Sequence, residues 1–199
     1  MPKIVDHIER RAVIADGLVR VAGCRGLHAV TMRSVAAEAG VSLRLVQYYF
    51  ETKAQLMHAA LQRLEEQSNA RWSARLAESK SPQSVRSILD ALLTEALPMD
   101  ERRKTFHLVW TSYAVLAMTE PELAEQPFVE GPNRLELQLA NLLKQGQANG
   151  ELPHELDNAF EAARLLAINH GLGTSVLVGQ RTAESALSLM QRHLDQMFG

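Results

Sequence analysis

The sequence predicts an all-α protein of nine helices. Alanine and leucine abound in its 199 residues, while aromatic residues make up only 5%. Apolar residues recur at three- and four-residue spacing in segment after segment, and none alternates for long with a two-residue period. No internal repeat or low-complexity tract breaks the pattern.

The first helix is expected from about Lys3 to Cys24, with Ile14, Leu18, Val21 and Ala22 on its buried stripe and Gly26 closing it. Thr31 can cap the second with its hydroxyl, and Val35, Ala36 and Ala39 share one face. Gly40 marks a sharp turn, because glycine takes a left-handed C-cap conformation without steric cost. Ser42 caps a third helix, Leu43 to Phe50, whose inward face carries Val46 and Phe50. Thr52 caps a long fourth helix bearing Leu56, Met57, Ala60, Leu61 and Leu64 and ending near Ser79. Ser81-Pro82 reads as the start of a fifth, with Val85, Ile88, Leu89, Leu92 and Leu93, stopping before Pro98. Asp100 caps a sixth that carries Phe106, Val109, Trp110 and Tyr113 to about Met118, where Pro121 interrupts. A seventh, with Leu135, Leu139, Leu142 and Leu143, ends at Asn149-Gly150. An eighth runs from about Asp157 to Val178, and Thr182 caps the last, with Leu187, Leu189, Met190, Leu194 and Met197.

The second and third helices form a helix-turn-helix. The outward face of the third carries Arg44, Gln47 and Tyr48, hydrogen-bonding and stacking groups suited to base edges and phosphates. Arg44 can pair bidentately with guanine, Gln47 can read adenine, and Tyr48 can meet a phosphate or a thymine methyl. Ser42 and Thr31, at helix N-termini, can join backbone N–H groups around phosphates. Arg33 is a further phosphate candidate, and Leu43 and Leu45 serve either packing or thymine-methyl contact. Charge distribution agrees with double-stranded DNA as partner. Residues 1–53 hold eight basic against five acidic side chains, although the whole chain is at −2.

The segment resembles the DNA-binding domain of the TetR/AcrR family of transcriptional regulators. The resemblance rests on Thr31, on Val35-Ala36-Ala37-Glu38-Ala39-Gly40-Val41-Ser42, and on Val46, Tyr48-Tyr49-Phe50 and Lys53. Upstream it takes in Ile14, Leu18, Val21, Ala22 and Gly26, about a quarter of the chain. It implies a phosphate contact at Lys53 and a place for Tyr49 among the DNA-binding residues. Arg44, Gln47 and Tyr49 depart from the family's commoner small residue, tyrosine and histidine, which leaves the operator sequence open. The implied organisation is a DNA-binding domain at 1–53 and a ligand-binding and dimerisation domain at 54–199.

The last two helices are apolar on more than one stripe, and Gly171, Gly173 and Ser175 would let another helix approach. Two such helices from each subunit make a four-helix bundle, with Leu165, Leu172, Val176, Leu187, Met190 and Leu194 as the candidate homodimer contacts. The alternative is that these residues are intrachain core. The resemblance also implies a small-molecule effector pocket in the body, for which Phe106, His107, Trp110, Tyr113, Met118, Phe128, Phe160, Asn169 and His170 are candidates. These same side chains can instead fill a core. Residues 110–123, WTSYAVLAMTEPEL, resemble the branch of the family that includes choline-responsive repressors.

The implied function is a ligand-responsive DNA-binding regulator, a repressor released by a small molecule. Two rivals are an architectural DNA-binding dimer without effector and, from another class, an all-α enzyme. Catalytic motifs are absent: His154-Glu155 lacks a second histidine because position 158 is asparagine, and no glycine-rich phosphate loop or metal-ligand spacing occurs. No cofactor or metal is expected. Cys24 is the one cysteine and forms no intrachain disulfide. With no signal peptide and no membrane-length apolar run, a cytoplasmic protein is expected.

Overall fold

The computed structural model describes residues 7–78 and 84–199. Among the described residues there are ten α-helices and no strand. They are α1 His7–Arg25, α2 Met32–Glu38, α3 Leu43–Tyr49, α4 Lys53–Glu78, α5 Val85–Glu95, α6 Glu101–Ala117, α7 Pro121–Ala124, α8 Glu130–Ala148, α9 Asn158–Leu177 and α10 Ala183–Phe198. The helix beyond the nine expected is α7, a single turn. Pro121 opens it rather than merely ending the preceding helix, because a first-turn proline sacrifices no helical hydrogen bond. The expected starts at Lys3 and at Ser81-Pro82 lie outside the described residues; the described cap of α5 is Ser84, which accepts from Ser87 N–H. No helix among the described residues is long and apolar enough to cross a membrane.

Polar side chains cap most helices. Thr31 accepts from Ser34 N–H while the Ser34 hydroxyl accepts from Thr31 N–H, a reciprocal pair that satisfies two orphan donors of α2. Ser42 does the same for Leu45 N–H, Thr52 for Gln55, Asp100 for Arg103, Asp157 for Ala159 and Phe160, and Thr182 for Ser185. Each such cap is worth about 1 kcal/mol. Gly40, between α2 and α3, sits at φ 65, where a side chain would be strained.

The chain divides into two compact units. One comprises the described residues of Met1–Glu66 with Leu108–Phe128; the other comprises those of Gln67–His107 with Val129–Gly199. Two of the boundaries therefore fall inside α4 and α6, and the third lies between α7 and α8. In the first unit α1 packs on α2 and α2 on α3. Ile14, Leu18, Val21, Ala22, Val35, Val46, Phe50, Leu56 and Met57 are fully buried there. Each large side chain among them contributes about 1.5–3 kcal/mol relative to exposure. Cys24, by contrast, is exposed.

In the second unit α5, α8, α9 and α10 enclose a leucine-rich core that includes Leu89, Leu93, Leu139, Leu143, Leu165, Met190 and Leu194. At its edge stands one buried acid. Glu95, 3% exposed, accepts from Arg71 Nε at 2.8 Å, with Arg75 at 3.5 Å and Arg103 at 3.8 Å. Arg103 also donates to Thr94 O. The end of α5 is thereby tied to both α4 and α6 by charge-assisted bonds.

Candidate nucleic-acid interface and effector region

On α3, Val46 and Phe50 are buried while Arg44, Gln47 and Tyr48 are exposed, Tyr48 by 70%. A seven-residue helix with one face in the core and arginine, glutamine and tyrosine on the other presents donors, acceptors and a ring to a DNA groove. Leu43, Leu45 and Tyr49 are partly buried at the margins of that face. Arg33 on α2 and Lys53 at the first position of α4 are exposed. Among the described residues neither they nor Arg44 carries an ion pair, whereas Glu38 engages Arg20 and Arg25. Thr31 and Ser42 are exposed at the N-termini of α2 and α3, and their oxygens already accept from their own helices. Two residues at this end of the molecule had no sequence motif to mark them: His7 and Arg11 of α1 contact Tyr49 and Phe50.

The candidates for the effector region divide between the units. In the first, Tyr113 is fully buried; its hydroxyl donates to Leu123 O at 3.2 Å and its ring lies 5.0 Å from that of Phe128. Burial pushes the Tyr113 phenol up to about 12. Trp110 is partly buried, and Met118 is 80% exposed, so Met118 lines no interior. In the second unit Asn169 is buried and donates to Leu93 O at 3.0 Å. The His107 ring bonds Ala96 O through Nε2 and is seated against α9 at Gly173, where an added Cβ would come within 2.5 Å of it. Glycine at that position is a packing requirement. Burial lowers the pKa of His107 and of His170, the latter also through the charge of His107. Phe106 is partly buried beside His107. Phe160 is 61% exposed at the start of α9 and stands on its outer surface, away from the core that an interior site requires.

The dimer candidates are also redistributed. Leu165, Met190 and Leu194 are at 0–1% exposure and Leu172 is at 8%, all within the intrachain core. Val176 and Leu187 are partly buried against it. Gly173 faces His107 and Ser175 is buried, so neither opens α9 to a second helix. The outer stripe of α9 is a different set: Phe160, Ala163, Ala167, Gly171, Thr174 and Val178, all exposed and spaced three or four apart. Residues at that spacing share one helix face. The leucines of α9 at 165, 166 and 172 take the core because their burial gains most.

Among the described residues no group of three or more His, Cys, Asp or Glu could hold a metal ion. Comparison with known proteins bears on the whole chain. Residues 14–60 match the family model described as bacterial regulatory proteins, tetR family. Residues 85–199 match the model described as BetI-type transcriptional repressor, C-terminal. The HTH-type transcriptional regulator PksA of Bacillus subtilis (strain 168) is 28% identical over 178 residues, 89% of this chain and 83% of that one. A putative TetR-family regulator from Rhodococcus sp. superposes with TM-score 0.84 at 25% identity, over 96% of this chain and 100% of the other. A putative transcriptional regulator from Saccharomonospora viridis in complex with choline gives TM-score 0.77 at 26% identity, over 95% of each chain. The fold and the exposed face of α3 define a DNA-binding transcriptional regulator. This chain belongs to the TetR family, with a C-terminal region of the BetI type.

Proposed function

We propose that this protein is a homodimeric, cytoplasmic repressor that leaves its operator when a small, partly apolar molecule binds. The observation that carries the reading is α3, whose buried Val46 and Phe50 turn Arg44, Gln47 and Tyr48 outward. In this reading residues 1–53 read DNA and residues 54–199 sense and dimerise. The division is one of task, since the compact units divide within α4 and α6. Arg44, Gln47 and Tyr48 approach base edges; Thr31, Arg33, Ser42 and Lys53 approach phosphates; Leu43, Leu45 and Tyr49 flank them. The outer stripe of α9 meets its copy in the partner, and the dimer holds two α3 helices ~34–36 Å apart, one turn of DNA.

The effector acts on α6, with Trp110 as its aromatic contact. Choline in the Saccharomonospora relative makes a small organic cation the first effector to test. A second reading, a DNA-binding dimer without effector, draws on the internal bonds of Tyr113, His107 and Asn169, which leave those polar groups committed to the backbone. Selection of duplexes from a random-sequence pool by the purified protein, followed by release with choline and other organic cations, tests both. Retention of one palindromic sequence and its release by one compound is expected. Retention with no release by any cation supports the second reading, and retention of no duplex removes both.

A further inference from the structure

The first turns of α1 grip the last turn of α3. His7 and Arg11 lie four residues apart and so share one face of α1. His7 Nδ1 shares a hydrogen bond with Tyr49 Oη at 2.9 Å. Arg11 Nη1 donates to Tyr49 O at 2.7 Å, and its guanidinium carbon lies 4.4 Å from the centroid of the Phe50 ring. These contacts converge where the carbonyls of α3 run out of helical partners and where the helix dipole favours a cation.

The grip matters because α3 has only seven residues. Helices shorter than about a dozen residues do not hold their shape alone. Val46 and Phe50 anchor the buried side of α3, and Phe50 N–H closes the last turn on Val46 O, but Tyr49 in that turn is only partly buried and its carbonyl lies beyond the helical ladder. Tyr49 stands edge-on to Tyr48 with ring centroids 5.1 Å apart, and Tyr48 is the exposed ring of the outer face. We propose that His7 and Arg11 are positioning residues for DNA recognition. They fix the last turn of α3 and, through Tyr49, the direction of the Tyr48 ring. The inference rests on α3 being the helix that reads DNA.

A competing role for Arg11 is direct phosphate contact. The two differ in their response to salt, since a phosphate contact releases counterions and a positioning contact does not. The probe is the duplex that wild-type protein retains from a random-sequence pool. Binding is measured from about 50 to 200 mM salt, alongside thermal melts, for full-length His7→Phe, Tyr49→Phe, their double variant, Arg11→Gln and Arg11→Lys. Each single change is expected to weaken binding about tenfold with the salt slope unchanged. The double variant should be no weaker than its parents, because both remove one bond. Arg11→Lys should fail to restore binding, since an ammonium cannot both stack on Phe50 and reach Tyr49 O.

Normal binding by Arg11→Lys, with the slope of Arg11→Gln reduced by about one, would make Arg11 a phosphate contact. Additive losses in the double variant would separate His7 from Tyr49. A fall in melting temperature that accounts for the lost affinity would reduce the grip to fold stabilisation. Each of these results overturns the proposal. Tyr48→Ala separates the levels: if it binds like wild type, the reading of α3 fails, and if it alone weakens binding, only this inference does.

Discussion

Lys53 and Arg44 are both exposed cations, yet they are assigned different partners, and their substitutions should differ accordingly. Lys53→Ala should weaken every duplex alike and lower the salt slope by about one. Arg44→Ala should cost ~1–3 kcal/mol at one operator position and little elsewhere. Gel shifts on a panel of operator variants check both; equal loss on every variant would reassign Arg44 to the backbone. Glu95 is a different kind of residue, buried among three arginines. Glu95→Ala leaves those guanidinium groups facing one another and should lower unfolding free energy by roughly 3 kcal/mol in a urea titration.

His107 sets a pH dependence. Its folded pKa lies below the ordinary value because burial disfavours the imidazolium. Above about pH 6.5 both folded and unfolded chains hold it neutral, and its contribution is complete. As pH falls below that value, the unfolded chain takes up a proton that the folded chain refuses, so stability is lost. His170 has the same sign. The melting temperature should therefore fall between about pH 7 and pH 5.5, and less steeply in His107→Gln.

At the scale of elements, α9 has two apolar faces, and the structure says which is free. Ala167→Glu places a carboxylate in the middle of the exposed stripe. Sedimentation should show a folded monomer that no longer binds a palindromic duplex; a persistent dimer would put the interface elsewhere. Leu172→Glu, at 8% exposure inside the core, should instead unfold the chain, because an unpaired buried carboxylate costs several kcal/mol. Spacing along the sequence offers Leu172 as one of six candidate partner contacts. Periodicity marks α9 as apolar on more than one stripe, but it carries no information about which one the chain's own α8 and α10 would cover.

For the whole molecule, the proposed mechanism obeys linkage. An effector that weakens operator affinity by some factor must itself be weakened by operator to the same factor. Fluorescence titration of effector with and without operator checks this, and unequal factors would exclude a simple two-site coupling. Trp110→Phe should alter the effector titration. Tyr113→Phe should leave it unchanged while costing ~1 kcal/mol of stability, because it removes the buried hydrogen bond from the Tyr113 hydroxyl to Leu123 O.

The sequence by itself determined the helix-turn-helix. Its caps at Thr31 and Ser42, its glycine turn at Gly40 and its inward Val46 and Phe50 are local, and each acts within four residues of itself. It determined the helical class for the same reason, since a period of 3.6 is written along the chain. Only the tertiary structure decided that Asn169 and His107 are bonded to backbone carbonyls of α5 and its end, 76 and 11 residues away. It alone turned Phe160 outward and Leu165 inward, and set His7 and Arg11 against an α3 some forty residues later. Those outcomes depend on which of several apolar or polar faces meets which neighbour. That choice is made by the best total burial and hydrogen bonding across the chain, not by any one segment's spacing.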